Sequence, residues 1–239
     1  MRPNNILIAT SYVWLLVSFW NRNDLPGSVD YVPEIAHEPE QTPTSERPFY
    51  ATVNGVEYLV EPEYAYDLTG MIVSFRQHKG NSRMHLRAND HLNMADMCVV
   101  WGDNTEADLQ AIDFWNGIFT CNVFTRDMDA WNSFNMNQLS NNHLISDDEF
   151  IRSQVRKIQI GDQVRVRGYL ASYSNGGGSK RGTSTTRRDT GDGACETVFV
   201  VYFRIVQPST SALRFSMWVS LALFLASLFV HFKRPYKPY

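Results

Sequence analysis

Two long apolar stretches lie at opposite ends of this chain, and most of its polar residues lie between them. The C-terminal stretch, 215–232, contains no Asp, Glu, Lys or Arg. It is long enough to cross a bilayer of about 30 Å at about 1.5 Å per residue. Because no polar face interrupts it, a transmembrane helix is favoured over a helix buried in a soluble core. The C-terminal stretch therefore predicts that the polar region is attached to a membrane. Attachment limits the compartments in which this region can lie, and the compartment decides whether its cysteines can form disulfides.

The N-terminal stretch, from Ile6 to Trp20, is shorter. Its length suits either the core of a signal peptide or a short membrane anchor. The segment Ser18-Phe19-Trp20-Asn21 lacks the small residues of a typical cleavage site. We therefore favour an uncleaved anchor over residues 1–20, so that two transmembrane helices flank the polar region.

The charges beside the two stretches predict an orientation in the membrane. The tail 233–239 holds three Lys or Arg and no acid, whereas the segment 21–48 holds two Arg against six acids. Since basic residues are enriched on the cytoplasmic side, both termini are expected in the cytoplasm and residues 21–213 outside it. We expect a two-pass protein of the bacterial inner membrane with a periplasmic, or otherwise extracytoplasmic, domain.

Charge and cysteine content narrow the classes of ligand. A net charge of −3 argues against a general nucleic-acid coat, which would carry a basic excess. Three cysteines in an oxidising space allow one disulfide and one leftover thiol. Cys98 and Cys121 lie in strand-like runs and are the favoured pair, with two buried reduced thiols as the alternative. There is no C-x-x-C spacing, so zinc has little support, and no cofactor is predicted.

Alternating apolar and polar residues predict a β-rich domain over 49–207. An acidic, proline-rich linker is expected over 21–48. The Asn54-Gly55 pair predicts a hairpin over about 49–61. One or two short helices are expected over 128–152, and Gly168 is expected to permit a bend or bulge. Further strands are predicted over 67–77, 97–101, 117–125, 158–173 and 197–206.

Three pieces of this pattern resemble the OB-fold, specifically its single-domain bacterial members. They are a first strand with Gly70-x-Ile72-Val73-Ser74, the run Phe119-Thr120-Cys121-Asn122-Val123-Phe124, and the strand from Gly161 to Leu170. The resemblance implies an all-β fold, a small barrel with a short helical patch and an N-terminal hairpin. It covers roughly residues 66–207, with a long insertion at about 78–116, and implies no activity.

The motifs LSNNHL, GDQ-x-x-x-x-GYLA-x-Y and DTG-x-GACET also look like those of an uncharacterised bacterial family of membrane-anchored proteins. That resemblance adds no function.

The most unusual segment is 174–196, which holds six glycines and a cluster of charges. In an OB-like barrel it would join the last two strands, in a loop that often helps to form the ligand surface. Guanidinium forks and backbone N–H groups suit phosphate, carboxylate or another anion. A solvated hairpin loop with internal ion pairs is the alternative. The candidate ligand-binding residues are Arg181, Arg187, Arg188, Asp189 and Glu196.

A cysteine-dependent enzyme is the second hypothesis. His143, Cys195 and Arg204 follow one another in an order that resembles a sortase transpeptidase. In that family the cysteine attacks a carbonyl, the histidine moves protons and the arginine stabilises charge. This chain departs from the pattern because Cys195 follows a glycine-rich turn rather than ending a strand. The hypothesis requires an exposed Cys195 thiol of low pKa.

Other polar groups are assigned structural roles. Residues 141–143 are expected to cap a helix that begins near Ser146, with hydrogen bonds to a ligand as the alternative. A metal site at His78, His85 and His91 and a calcium site at Asp96, Asp103, Glu106 and Asp108 lack the usual spacings, so solvated loops are expected there. Trp101, Trp115, Trp131 and Phe134 are expected to pack in the core rather than to form a stacking platform.

The sequence as a whole predicts an envelope binding module that recognises a partner protein or a small anionic ligand through the 174–196 segment. The cysteine enzyme and a structural subunit of a membrane complex are the alternatives. Beyond the membrane, a protein partner is expected and nucleic acid is not.

Overall fold

A computed structural model describes residues 3–78, 88–117, 120–177, 180–186 and 195–233. The chain divides into two compact units. One combines Met1–Pro26 with Thr210–Tyr239, and the other is Gly27–Ser209. The two apolar ends therefore belong to one unit, and the polar region between them forms the other.

Two helices make up the first unit, α1 (Pro3–Trp20) and, at the end of the chain, α4 (Ala212–Lys233). Within the described residues, α4 is the one helix long and apolar enough to cross a membrane. The second expected span, α1, has Asn4 and Asn5 in its first turn, which shorten its apolar length. The helices run antiparallel, because Asn4 Nδ2 donates to Ser227 O at 3.2 Å and the Ser18 and Ser216 hydroxyls lie 3.0 Å apart.

A large sheet dominates the second unit. The small hairpin of β5 (Asp113–Asn116) and β6 (Cys121–Phe124) forms a separate sheet. The short helices are α2 (Met128–Ser133) and α3 (Glu149–Val155). The strands of the large sheet are β1 (Glu40–Pro43), β2 (Phe49–Val53), β3 (Val56–Gln77), β4 (Asn93–Val100), β7 (Leu139–Ile145), β8 (Gln163–Ser174), β9 (Lys180–Arg181) and β10 (Cys195–Gln207).

Five strands of the large sheet are each paired on both edges. β3 pairs with β4, β4 with β7, β7 with β10, β10 with β8, and β8 again with β3. The β7–β10 pair is parallel and the other four are antiparallel. The unit is therefore strand-rich with a few helices, as predicted.

Local turn chemistry explains the segments that the sequence predicts well. The expected hairpin is confirmed, since β2 pairs with β3 around Asn54 (φ 52°) and Gly55 (φ 77°). β8 and β10 correspond to the predicted strands 158–173 and 197–206. Gly168 lies opposite Val200, beside an irregularity in β10, where a Cβ atom would collide with the Phe199 carbonyl. The predicted bulge therefore lies in β10, the strand that pairs with β8, and not at Gly168 itself.

The segment 21–48 is not a detached linker. Residues Pro33–Ala36 form a 3₁₀ turn that buries Ile35, and β1 pairs with β3. The Gln163 side chain adds two hydrogen bonds of 2.8 Å, to Val32 N and Asp30 O. Proline suits the start of such a turn and an edge strand, so a proline-rich composition does not prevent packing.

The expected insertion at 78–116 contains a central strand. All eight residues of β4 are buried between β3 and β7. Conversely, the run predicted as a main strand at 117–125 contributes only β6, which pairs with β5 outside the large sheet. Residues 118–119 lie outside the described part. Apolar content alone did not distinguish the strand in the sheet from the strand in the hairpin.

The expectation that residues 141–143 cap a helix is wrong. They belong to β7, which is buried between β4 and β10. The cap of α3 is Asp148, whose Oδ1 accepts from Phe150 N at 2.7 Å and Ile151 N at 3.3 Å. Two short helices do occur close to the predicted range 128–152, α2 before this strand and α3, which ends at Val155, after it.

Candidate functional site

The central strands align a row of polar side chains. Asp96 of β4 is opposite His143 of β7, and His143 is opposite Thr197 of β10. Cys98, Asn141 and Cys195 align in the same way across the same strands. Because residues paired between strands project to the same face, the two rows share one face of the sheet.

Four residues form what we call the Asp–His cluster: His78, Asn93, Asp96 and His143. His78 Nε2 donates to Asp96 Oδ2 at 2.8 Å, and His143 Nδ1 contacts Asp96 Oδ1. His143 Nε2 lies 2.8 Å from Asn93 Nδ2. An ionised carboxylate only accepts hydrogen bonds, so each histidine presents an N–H to Asp96 and His143 accepts from Asn93. Both ring nitrogens of His143 are therefore occupied.

Burial sets the charge of this cluster. Burial alone raises the pKa of Asp96, but hydrogen bonds from His143 and His78 more than offset it and hold that pKa well below its usual value. Burial lowers the pKa of His143, and the neighbouring Asp96 carboxylate only partly offsets this. The cluster therefore holds an ionised Asp96 against a neutral His143 at neutral pH.

Cys195 does not have the properties of a nucleophile. Its thiol is buried, and Asn141 Nδ2 donates to Sγ at 3.1 Å. Burial raises the pKa of Cys195 to about 11, although the bond from Asn141 opposes the shift. A nucleophilic cysteine needs a thiolate, so this environment opposes the chemistry that the sortase-like hypothesis requires.

Arg204 lies far from the other two residues of that hypothesis. It is exposed and pairs in register with Arg165 on β8. Thr197, the neighbour of His143, lies seven residues earlier in β10, which corresponds to roughly 20 Å along a strand. His143, Cys195 and Arg204 therefore do not form a triad.

A disulfide joins Cys98 to Cys121, the pairing that the sequence favours, with the Cα atoms 5.8 Å apart. It attaches the β5–β6 hairpin to β4. Asn116 reinforces the attachment, since its Oδ1 accepts from Ser74 Oγ at 2.7 Å and its Nδ2 donates to Asn141 Oδ1 at 3.3 Å.

The predicted contact residues of the 174–196 segment are only partly described. Arg181 lies half-buried in β9, opposite Tyr173. The prediction placed Glu196 on an accessible contact surface. The structure instead buries it in β10, opposite Asn142. Arg187, Arg188 and Asp189 lie outside the described residues.

A cleft of about 350 Å³ lies beside the Asp–His cluster. His78 and Asn93 contribute to its wall. Two arginines also line it: Arg152 of α3 and Arg156, the residue that follows this helix. The sequence reasoning missed this arrangement, because the lining residues are far apart in the chain. The lining residues are Asn54, Gln77, His78, Asp90, His91, Asn93, Met94, Arg152, Val155 and Arg156.

Neither of the two metal sites considered from sequence assembles among the described residues. No group of three or more His, Cys, Asp or Glu in that part of the chain could hold a metal ion. Asp96 is occupied by two histidines, and Asp103 accepts from Gln138 Nε2 at 3.2 Å. His85 lies outside the described residues.

The aromatic residues divide between core and surface. Trp101 and Phe134 are buried, and the Phe134 ring lies 5.7 Å from that of Phe114. Trp115 and Trp131 are exposed, contrary to the expectation of core packing.

No protein-family model matches the chain, and neither the curated proteins nor the solved structures include a detectably similar one. The function is therefore argued from the chain's own geometry.

Proposed function

We propose that this protein is a non-enzymatic binding module, anchored in the bacterial cytoplasmic membrane with its sheet unit on the extracytoplasmic side. It recognises a partner protein or a small anionic ligand, with Arg181, Arg187 and Arg188 on the contact surface. One observation favours binding over catalysis. The strongest candidate nucleophile, Cys195, is a buried thiol with a raised pKa, and both nitrogens of its candidate base, His143, are occupied.

The order of strand pairing supports an OB-like barrel. The cycle β3–β4–β7–β10–β8–β3 is what a sheet of five strands needs in order to close on itself. A helix between β7 and β8 agrees with the helical patch that the OB-like resemblance implies. Closure leaves no free edge along the paired stretches of these strands, so recognition would use the loops and the outer surface.

Three observations together support an extracytoplasmic sheet unit. A disulfide at Cys98–Cys121 is typical of an oxidising compartment. The antiparallel pairing of α1 and α4 agrees with two membrane passes that begin and end on the same side. The basic residues of 233–239 favour the cytoplasm for that side.

In vivo crosslinking in native membranes tests the contact surface. Replacing Arg181, Arg187 and Arg188 together by Ala removes three guanidinium groups, and we expect at least a tenfold loss of crosslinked partner. Arg204→Ala, which removes an exposed arginine on β10, is the matched control and should leave the yield unchanged.

Equal crosslinking by the triple variant and the wild type would reject the proposed surface. If crosslinks were lost instead on changing lipid-facing residues of α4, the structural-subunit alternative would be favoured.

A further inference from the structure

The cleft beside the Asp–His cluster contains more positive than negative groups. Arg152 and Arg156 line it, whereas Asp90 is the one carboxylate among the described lining residues. Asp90 Oδ2 already accepts a hydrogen bond of 2.8 Å from Tyr173 Oη. The cleft therefore has a local excess of cationic groups in a chain whose net charge is −3.

Arg152 is held rigidly in the wall of this cleft. Its Nη1 donates to Ser146 O at 2.8 Å and to Leu92 O at 3.2 Å, and its Nη2 donates to His91 O at 3.2 Å. Three carbonyl partners fix the guanidinium before any ligand arrives. A preorganised group loses little conformational entropy on binding.

The charge of Arg152 is incompletely balanced within the protein. Its side chain is 15% exposed, and the nearest carboxylate, Glu149, lies 3.8 Å away with a side chain 72% exposed. A partly buried guanidinium whose carboxylate partner is mostly solvated retains part of its desolvation cost. An anion in the cleft would lower that cost.

Arg156 can supply a second contact. It pairs with the same Glu149 carboxylate at the surface, where its own side chain is 55% exposed. Exposed ion pairs contribute little to stability, so Arg156 can exchange Glu149 for a ligand at little cost.

The size and remaining lining define the ligand further. A volume of about 350 Å³ lies at the small end of the range typical of ligand pockets, roughly 300–1,000 Å³. The amide of Asn54 can both donate to and accept from a hydroxyl group. Gln77 Nε2 already donates to Val155 O and Arg156 O, and Asn93 Nδ2 to His143, so these two side chains offer their amide oxygens as acceptors.

From these features we propose that the cleft is a binding site for a small hydroxylated molecule bearing a carboxylate or a phosphate, held by Arg152 and Arg156. None of its described lining residues belongs to 174–196. The proposal is therefore independent of the contact surface around Arg181 and does not depend on a protein partner.

Calorimetric titration of the purified full chain in detergent tests the site with three probes. Glucuronate and glucose 6-phosphate carry the two anions on similar bodies, and glucose carries neither. We expect one bound molecule of at least one anion, at least tenfold tighter than glucose, with affinity falling as salt rises. Which probe binds identifies the carboxylate or the phosphate as the preferred group.

Two variants separate binding from folding. Arg156→Gln changes an exposed side chain, and we expect it to weaken binding about tenfold with an unchanged melting temperature. Arg204→Gln, an arginine outside the cleft, should bind as the wild type does. The proposal is overturned if neither anion binds, if glucose binds equally well, or if Arg156→Gln binds as tightly as the wild type.

Discussion

The two units of this protein distribute their side chains in opposite ways. In the sheet unit, the buried side chains are mostly apolar, and the buried carboxylate of Asp96 is paired with two histidines of the Asp–His cluster. In the helical unit, the buried residues are serines: Ser11 and Ser18 of α1, Ser220 and Ser227 of α4. Apart from Asn5 near the start of α1 and His231 and Lys233 at the end of α4, the large exposed side chains of both helices are instead apolar or aromatic.

This difference is what the two solvents of an anchored protein, water and lipid, would produce. Water drives apolar side chains inward, as in the sheet unit. In a membrane this drive is absent between helices, so small residues fill the contact and apolar side chains face lipid. The serine contacts between α1 and α4 agree with a lipid environment, as expected if both helices anchor the protein in the membrane.

The largest expected effect lies in the buried charge of the sheet unit. Asp96→Asn removes the carboxylate that two histidines contact and leaves their N–H groups poorly paired. We expect a loss of about 3–5 kcal/mol in the free energy of unfolding, measured by denaturant titration in detergent. Asp67→Asn is the control, since Asp67 also contacts two basic residues, Arg165 and Arg167, but near the surface. It should cost about 1 kcal/mol or less, and equal losses would contradict the role given to burial.

A charge in the middle of α4 should be costly only if lipid surrounds it. Leu223→Arg is expected to disfavour insertion by about 3 kcal/mol, which corresponds to roughly a hundredfold shift. Protease protection of a C-terminal tag in spheroplasts measures the inserted fraction. Phe150→Arg, at an exposed position of the sheet unit, should have no effect. Full protection of the Leu223 variant would argue against a membrane-spanning α4.

The pH dependence of stability reports the neutral state of His143. Its pKa is lowered in the folded state, so below about pH 6.5 the unfolded chain binds the proton more readily. Stability should therefore fall as pH drops from about 6.5, with a slope of up to about 1.4 kcal/mol per pH unit. The lowered pKa of Asp96 adds a further loss below about pH 4, in the same direction. The His143→Gln variant should be less stable at pH 7, and its stability should no longer depend on pH between 6.5 and 5. If the variant keeps the same pH dependence, groups other than His143 cause it.

The smallest effect is expected at the serine contact between the helices. Ser18→Ala removes the hydroxyl that lies 3.0 Å from Ser216 Oγ. Hydrogen bonds between membrane helices average about 0.6 kcal/mol, so the helix pair should weaken only by that order. Crosslinking between cysteines placed in α1 and α4 measures the change, and a loss of pairing would show a larger role for this contact.

Local signals explain which parts of the fold could be predicted. Asn54-Gly55 determines its turn through positive φ, and the alternation in 163–173 determines β8, so both follow from sequence. β7 could not be found this way, because Ser140, Asn141, Asn142 and His143 resemble a polar loop until β4 and β10 supply their partners. The Asp–His cluster joins positions 78, 93, 96 and 143 through strand pairing, which leaves no spacing signal in the chain.

The most direct test of the anchored, extracytoplasmic module is labelling of single introduced cysteines in intact cells with a membrane-impermeant maleimide. The wild type is its own control, because Cys195 is buried and Cys98 and Cys121 are joined, so it should remain unlabelled. Tyr50→Cys places a thiol at a position 65% exposed in the sheet unit, and Phe232→Cys places one at the end of α4, 80% exposed. We predict labelling of Tyr50→Cys in intact cells and of Phe232→Cys only after permeabilisation. Protection of Tyr50→Cys, or labelling of Phe232→Cys in intact cells, would contradict the proposed topology.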